Sequence, residues 1–358
     1  MSENSGIEWT DHTWNPWWGC TKVHSGCANC YAEALDRRWG GDHWGKGATR
    51  RMVLGEWGKP AKWNREAIAT LGRRARVFCA SMCDLFEDFR GEVVDQRGDP
   101  VPMPGQWLPI YGKLGRRMSA DGGRCWTVAA LRARVFDLIA ETPNLEWLLL
   151  TKRPENIVRM VPINWLGTGE WPANVMTGTS PCDQATADKC IPALLDVPGR
   201  HFLSIEPLLG PVELPLDRIE RDDKGEAFWL HGAKCPSYCD FACGGGVEIA
   251  GGIDWVIVGG ESGAKARPCG LGWIESILSQ CERAGVPVFV KQLGAKPVGP
   301  RCRDCADARV DGVCDNGGGA CAPKDPKGGD IAEWPKHLRV REFPALAGGG
   351  AGAAVPAL

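Results

Sequence analysis

The sequence has no apolar run of the roughly 18 residues that a transmembrane helix needs. Its first residues, Met1–Ser5, lack the basic and apolar regions of a secretory signal peptide. A formal net charge of −2 excludes a chain that is basic over its whole surface, as a nucleic-acid coat protein would be. We therefore expect a cytoplasmic protein with no membrane partner.

Cysteine and tryptophan are, by contrast, abundant. The chain has 17 cysteines, and without an export signal these favour metal ligation in a reducing compartment over a disulfide framework. It also has 17 tryptophans against only three tyrosines, and many of the tryptophans lie near glycines in the N-terminal part. We expect them to seal an irregular segment, with base-stacking platforms as the alternative.

Three cysteines near the N-terminus form the first motif. Cys20, Cys27 and Cys30 have the spacing C-x6-C-x2-C, and the next cysteine is Cys79. Four protein ligands close a structural zinc site, whereas three leave one coordination position open. A [4Fe–4S] cluster on three thiolates likewise leaves one iron open to a group that is not protein. His24 lies between the first two cysteines and offers the alternative, a structural Cys3His zinc site.

Short apolar runs alternate with helical patterns along the chain. Each run has the composition of a strand buried on both faces, and the predicted strands are Arg76–Ser81, Leu145–Leu150, Asn174–Thr179, His201–Ser204, Asp254–Val258 and Pro287–Val290. A period near 3.6 residues predicts helices at Thr127–Glu141, Ala185–Leu195 and Trp273–Ala284. The alternation predicts an α/β fold with a parallel sheet, a partial (β/α) barrel of the TIM type.

Polar residues follow the predicted strands, at the end where barrel enzymes carry their active sites. These residues are Asp84, Lys152, Arg153, Ser180, Glu206, Glu261, Ser262, Lys291 and Gln292. We interpret them as a catalytic rim, and a structural ion-pair network is the alternative. Arginine clusters at Arg50–Arg51, Arg73–Arg76 and Arg116–Arg117 indicate either a local basic groove or an ordinary exposed surface.

Cysteine-rich segments interrupt this pattern, so we expect four regions. They are a cluster-binding segment at 1–65, the partial barrel at 66–295, a metal-binding loop at 296–330 and a tail at 331–358 whose end is disordered. An insertion in the barrel at about 215–253 holds a second set, a Cys3His zinc site or an unrelated group, namely His231, Cys235, Cys239 and Cys243. The metal-binding loop holds a third set, for zinc or an auxiliary iron–sulfur cluster, namely Cys302, Cys305, Cys314 and Cys321.

Six separated motifs carry a resemblance to a known family. They are Trp14–Cys20 with Cys30–Glu33, then Leu149–Pro154, Leu203–Pro211, Val258–Gly263, Val290–Gly294 and Asp325–Asp330. In this order they resemble a phage- and prophage-associated family of unknown function related to the radical S-adenosylmethionine (SAM) enzymes. The radical SAM enzymes that this family resembles most include spore-photoproduct-lyase-like enzymes and the phage radical SAM isomerases of thymidine hypermodification.

The resemblance implies a [4Fe–4S] cluster on Cys20, Cys27 and Cys30 and a barrel of the radical SAM type. The usual signature is C-x3-C-x2-C with an aromatic residue before the last cysteine. Here the first gap is six residues, and Asn29 holds the aromatic position.

The resemblance also implies how SAM is held. Glu261, or its rival Glu206, would bind the amino group, and Lys152 or Arg153 would bind the carboxylate. The other residues implied at the cofactor are Gly259, Gly260, Ser180 and Tyr31.

The implied substrate is nucleic acid or a modified nucleobase, and the implied reaction is an isomerisation or a lyase reaction that uses an external electron donor. Such an enzyme of phage origin would act in the cytoplasm of the bacterial host. Two other hypotheses come from the residues. In one, all the cysteine sets bind zinc in a nucleic-acid-binding or scaffold protein without catalysis. In the other, Asp84, Glu206 and Glu261 surround a zinc ion in a hydrolase.

Overall fold

The structure is a computed structural model, and it describes residues 5–104, 124–166, 170–221, 227–229, 252–299 and 324–345. The chain divides into two compact units, one of Met1–Ser180 with Ala345–Leu358 and the other of Pro181–Pro344. The first carries the N-terminal cysteines, and the second carries the predicted carboxylates Glu206 and Glu261.

The first unit has a parallel sheet with helices in the connections. Its strands are β1 (His12–Thr13), β2 (Trp17–Trp18), β3 (Arg50–Met52), β4 (Ala75–Cys79), β5 (Val93–Val94), β6 (Leu145–Thr151) and β7 (Val175–Thr179). Its helices are α1 (Tyr31–Arg38), α2 (Lys59–Leu71), α3 (Val128–Glu141) and α4 (Ile157–Met160). Strands β1, β4, β6 and β7 pair in this order and are all parallel.

The central strands are buried almost along their whole length, as their predominantly apolar composition predicts. All five residues of β4 and of β7 are buried, and so are six of the seven in β6. Burial on both faces is typical of a parallel strand that helices cover on each side. The carboxyl ends of β4, β6 and β7 therefore form one edge, where the polar residues that follow them come together.

The sequence accounts for the start and the buried face of helix α3. The side chain of Thr127 accepts a hydrogen bond from the backbone N–H of Ala130, which caps the first turn. Ten of its fourteen residues are buried, among them Arg132. Arg132 donates to the backbone oxygens of Leu85 and Glu87, each at 2.6 Å, so the helix fixes the segment that follows β4.

Half of the eight tryptophans in the first 65 residues are core residues, namely Trp9, Trp14, Trp17 and Trp63. Trp14 and Trp17 have no exposed surface, and Trp9 is 2% exposed. Trp14 packs edge-on against both Trp57 and Trp147, which joins the irregular N-terminal segment to β6. The prediction that tryptophans seal this segment is confirmed for these residues. Strands β2, β3 and β5 form a small separate sheet beside it.

The second unit repeats the pattern of parallel strands and helices. Its strands are β8 (Arg200–Ile205), β9 (Ile219–Arg221), β10 (Ala227–Trp229), β11 (Ile253–Gly259), β12 (Cys269–Gly270), β13 (Val288–Gln292) and β14 (Pro297–Val298). Its helices are α5 (Gln184–Leu195) and α6 (Leu271–Ala284). Strand β11 pairs in parallel with β8 on one side and with β13 on the other.

The α/β class that the sequence predicts is confirmed in each unit. All six predicted strands are present, and the three predicted helices are α3, α5 and α6. The sequence did not predict α1, α2 or the short strands β1, β2, β3 and β5. These strands have two or three residues each, too few to give a period in the sequence. Among the described residues, no helix is long and apolar enough to cross a bilayer.

Candidate metal centre

The candidate centre is the cysteine loop, which we define as residues 20–30 of the first unit. Cys20 follows Gly19 at the end of β2, Cys27 ends a short 3-10 turn, and Cys30 is the N-cap residue of α1. All three are free cysteines and partly exposed as residues, although the thiol group of Cys20 is itself largely buried. The seven other described cysteines are buried, so partly exposed cysteines are confined to this loop within the described part of the chain.

Backbone contacts fix the beginning of the cysteine loop. The N–H of Gly19 donates to the backbone oxygen of Met82 at 3.0 Å, beyond the carboxyl end of β4. Gly19 has a φ of +115°, and a Cβ atom there would lie 2.4 Å from the backbone oxygen of His43. Only glycine fits both this conformation and this approach. The backbone oxygen of Cys20 then accepts from the N–H of Gly45 at 2.9 Å.

His24 has a structural role in the middle of the loop. Its ring nitrogen Nδ1 accepts a hydrogen bond from the backbone N–H of Gly26 at 3.0 Å and caps the 3-10 turn Ser25–Cys27. A Cys3His site would therefore have to use the other ring nitrogen, Nε2.

A buried ion pair holds the loop from the side of the sheet. Arg153, just beyond β6, donates from Nη1 to the carboxylate of Asp84 at 2.6 Å. The same Nη1 lies 3.7 Å from the Sγ atom of Cys20, and Nη2 donates to the backbone oxygen of Thr21. The hydroxyl of Thr151 donates to Asp84 at 2.6 Å, which fixes the carboxylate. Arg153 thus connects the first cysteine to the carboxyl edge of the sheet.

A second buried arginine supports the same part of the loop. Arg50 has no exposed surface and binds the carboxylate of Glu87 through Nε and Nη2, at 2.9 and 2.8 Å. Its Nη2 also donates to the hydroxyl of Thr21 at 3.0 Å. Thr21 is therefore bound by both arginines, through its backbone oxygen and through its hydroxyl.

Burial and the two carboxylates determine the charge of Cys20. Burial raises the pKa of the Cys20 thiol to about 12, and the charges of Asp84 and Glu87 act in the same direction, against the lowering effect of Arg153. Burial alone would lower the pKa of Arg153, but Asp84 and Cys20 hold it above its ordinary value. The Cys20 thiol is therefore neutral near pH 7 in the protein by itself, and it loses its proton when a metal binds the sulfur.

The cysteine loop offers three thiols as candidate ligands for a metal ion or for an iron–sulfur cluster. Among the described residues, no three or more side chains of His, Cys, Asp and Glu surround a point where one metal ion could be held. The thiolates of a cluster bind separate iron atoms, so a cluster does not need them around one point. Three partly exposed cysteines on one loop are suitable ligands for it.

Three more residues predicted at the cofactor belong to the first unit. Lys152 is partly exposed, and its backbone N–H donates to Asp84 at 3.2 Å. Tyr31 is 56% exposed, and its hydroxyl donates to the backbone oxygen of Ser81 at 3.3 Å. Ser180 follows β7 and is 1% exposed, and its hydroxyl has no hydrogen-bond partner among the described residues. All lie after the carboxyl ends of their strands or beside the cysteine loop.

In the second unit, each of the two predicted carboxylates is bound to a cation. Glu206 accepts from Nζ of Lys291 at 2.5 Å. Glu261 accepts from the backbone N–H, Nε and Nη2 of Arg267, at 2.8, 2.9 and 2.7 Å. Glu261 is 7% exposed, whereas the side chain of Glu206 is 19% exposed. Glu206 is the more accessible of the two.

The glycines before Glu261 approach another strand. A Cβ atom on Gly260 would lie 2.3 Å from the backbone oxygen of Leu293, and one on Gly259 would lie 3.1 Å from that of Gln292. The side chain of Gln292, in β13, donates to the backbone oxygen of Gly260 at 2.8 Å. Close contact with the end of β13 accounts for glycine here, and the role predicted for these glycines at SAM stays a prediction.

Three residues of this site, Arg50, Glu87 and Thr21, were not predictable from the sequence. Arg50 was assigned to a basic groove or to an exposed surface, and both predictions were wrong because Arg50 is buried in an ion pair. An isolated threonine or glutamate carries no sequence signal for such a contact. The sets His231, Cys235, Cys239, Cys243 and Cys302, Cys305, Cys314, Cys321 lie outside the described residues, as do Arg116 and Arg117.

The described residues define an α/β protein with a loop of three accessible cysteines at the carboxyl edge of a parallel sheet. The chain belongs to a family described as "Protein of unknown function (DUF5131)", whose model matches residues 4–96 and 127–317. No curated protein and no solved structure matches the chain.

Proposed function

We propose that the protein is a radical SAM enzyme with a [4Fe–4S] cluster on Cys20, Cys27 and Cys30. The observation that carries the proposal is the position of three free, partly exposed cysteines on one loop, the first of which lies next to Arg153. The reaction would be an isomerisation or a lyase reaction on a nucleic-acid-linked substrate, such as a modified thymine. The resemblance of the six motifs supports this part, and so does the α/β class of both units.

Cys20, Cys27 and Cys30 would hold the cluster, which would supply, from an external donor, the electron needed to cleave the carbon–sulfur bond of SAM. Arg153 brings a positive charge next to the sulfur of Cys20, which favours the thiolate form that a metal needs. Asp84 fixes the guanidinium, and Thr21 ties it to the loop.

The contacts with SAM belong to the proposal. Lys152 is the better candidate for the carboxylate of SAM in the first unit, because Arg153 already binds Asp84 and Thr21. Glu206 or Glu261 would bind the amino group, and Gly259, Gly260, Ser180 and Tyr31 would line the cofactor. A partial (β/α) barrel of the radical SAM type is likewise proposed.

The test is anaerobic reconstitution with iron and sulfide, followed by SAM and dithionite and by an assay for 5′-deoxyadenosine. We expect a brown protein that forms deoxyadenosine, and a Cys27→Ala variant that binds less iron and forms none. Cys190→Ala is the matched control, because Cys190 is a buried cysteine of α5, and it should retain both properties.

Two results would contradict the proposal. One is a colourless protein that retains zinc at these cysteines after anaerobic purification, as the zinc-binding alternative predicts. The other is hydrolase activity in air without SAM or reductant. Iron content and visible absorption are measured before SAM is added. They therefore distinguish a variant that has lost the cluster from one that keeps the cluster but no longer forms deoxyadenosine.

A further inference from the structure

A cavity of about 750 Å³ lies in the first unit, next to the cysteine loop. Its wall includes Tyr31, which follows Cys30 directly, and Ser81, which lies just beyond the carboxyl end of β4. The wall also includes the side chains of Trp18, Trp39 and Arg51. The volume lies within the range of about 300 to 1,000 Å³ that is typical of small-molecule sites.

Two aromatic side chains of this wall are exposed to solvent. Trp39 is 73% exposed and Tyr31 is 56% exposed, whereas Trp9, Trp14 and Trp17 of the same unit are buried. Helix α1 carries Tyr31 at its first residue and ends just before Trp39. An exposed indole and an exposed phenol at the rim of one cavity are typical of a surface on which a flat ring stacks.

The third aromatic side chain of the wall, Trp18, is stacked against the guanidinium of Arg51. Trp18 and Arg51 are opposite each other in the antiparallel pair of β2 and β3, and the guanidinium carbon lies 4.1 Å from the centre of the indole ring. Burial lowers the pKa of Arg51, against the effect of the Asp36 carboxylate. Within the described ranges, Arg51 makes no ion pair with a carboxylate. A partly buried cation without a paired anion in a cavity favours an anionic ligand.

We propose that this cavity binds a nucleotide, with its heterocycle stacked on Trp39 and its phosphate bound by Arg51. Gln96, also in the wall, has an amide that can hydrogen-bond to the edge of a base. A free nucleotide and a single-stranded nucleic acid both offer a heterocycle and a phosphate to this cavity. Binding needs no cluster, and only the role of the cavity as the substrate site rests on the proposed function.

The test measures binding to the full-length protein before any iron is added. The probes are thymidine 5′-monophosphate, thymidine and a short oligothymidylate, titrated by calorimetry at two salt concentrations. Thymidine 5′-monophosphate should bind more tightly than thymidine, because only the former has a phosphate for Arg51. Tighter binding of the oligothymidylate, weakened by salt, would identify a strand as the source, and equal binding would identify the free nucleotide.

Three variants examine the two contacts. Trp39→Ala should weaken binding of every probe about tenfold, the effect of losing one stacking partner. Arg51→Gln should abolish the preference for the phosphorylated nucleoside, and Arg51→Lys should keep part of it. Arg65→Gln, on the exposed side of α2, is the control and should change nothing.

Absence of binding by all three probes would overturn the proposal, and so would binding that neither Trp39→Ala nor Arg51→Gln alters. These outcomes are independent of the proposed function. A protein that forms deoxyadenosine but binds no probe would retain the radical SAM proposal and lose this one. A protein that binds nucleotide without forming deoxyadenosine would retain the nucleotide-binding proposal and lose the radical SAM proposal.

Discussion

Arg153 lies between the Sγ atom of Cys20, 3.7 Å from its Nη1, and the carboxylate of Asp84, 2.6 Å from the same nitrogen. Cys20 and Arg153 are 133 residues apart in the sequence. The guanidinium therefore ties the first cysteine to the carboxyl edge of the sheet. This contact makes the loop part of the sheet edge rather than an independent appendage.

Loss of Arg153 should strongly destabilise the first unit. In an Arg153→Gln variant the buried Asp84 carboxylate loses its cation, and removing one partner of a buried ion pair costs about 3–5 kcal/mol. Urea denaturation followed by tryptophan fluorescence measures the free energy of unfolding. Arg134→Gln breaks an ion pair on the surface of α3 instead and should cost about 0.5 kcal/mol. Equal losses in the two variants would contradict the structural role of Arg153.

Gly19 should be intolerant of any side chain. Gly19→Ala forces a Cβ atom into a residue with a φ of +115° and within 2.4 Å of the backbone oxygen of His43. Gly40 has a φ of +76° with nothing within 4 Å of the added atom, so Gly40→Ala isolates the conformational cost. We expect about 1 kcal/mol for Gly40→Ala and about 3 kcal/mol for Gly19→Ala.

The same two variants can be compared by thiol labelling. Gly19→Ala should expose Cys20 and accelerate its reaction with a thiol reagent, and Gly40→Ala should leave the rate unchanged. If the two variants lost the same stability and reacted at the same rate, the close approach of Gly19 to His43 would have no energetic weight.

Asp11 should make stability depend on pH in the acid range. Arg73 binds both carboxylate oxygens at 2.8 Å, and the N–H of Arg76 donates at 2.7 Å. Burial raises the pKa of Asp11, but these bonds and charges together lower it below the ordinary 3.8. The folded protein then binds fewer protons than the unfolded chain, so the stabilisation is complete above pH 3.8 and is lost as the pH falls below it.

An Asp11→Asn variant tests this dependence. It should be about 1 kcal/mol less stable than the parent protein at pH 7, and the difference should shrink as the pH falls through the acid range. Glu66→Gln, which changes an exposed carboxylate of α2, should leave the pH profile of the parent protein unchanged. Parallel profiles for Asp11→Asn and the parent protein would show that Asp11 has no lowered pKa.

The two carboxylates of the second unit, Glu206 and Glu261, should differ in how much each contributes to the free energy of unfolding. Glu261 accepts three hydrogen bonds from Arg267, whereas Glu206 accepts one from Lys291. Glu261→Gln should therefore lower the free energy of unfolding by about 2 kcal/mol, and Glu206→Gln by about 1 kcal/mol or less. Thermal unfolding measures both. The reverse order would indicate that Glu206 is the structural carboxylate and Glu261 the one free to serve a ligand.

The sequence by itself determined the α/β class and most of the regular elements. A parallel strand that is buried on both faces is predominantly apolar, so β4, β6, β7, β8, β11 and β13 are visible as apolar runs, even though Arg76 and Glu146 pair with each other inside β4 and β6. Helix α3 was predicted at Thr127–Glu141 and is present at Val128–Glu141, because one face of a buried helix repeats every 3.6 residues. The cysteine spacing was likewise a local pattern, and it located the candidate centre without the fold.

Only the tertiary structure decided which side chains meet at that centre. Arg50 and Glu87 are 37 residues apart, and nothing near either residue in the sequence indicates the other. The same holds for Arg51 and Trp18, which become neighbours through the register of two very short strands. Such contacts depend on which chain segments pack side by side. A cation that looks exposed in the sequence can therefore be, as Arg50 is, a buried support of the cysteine loop.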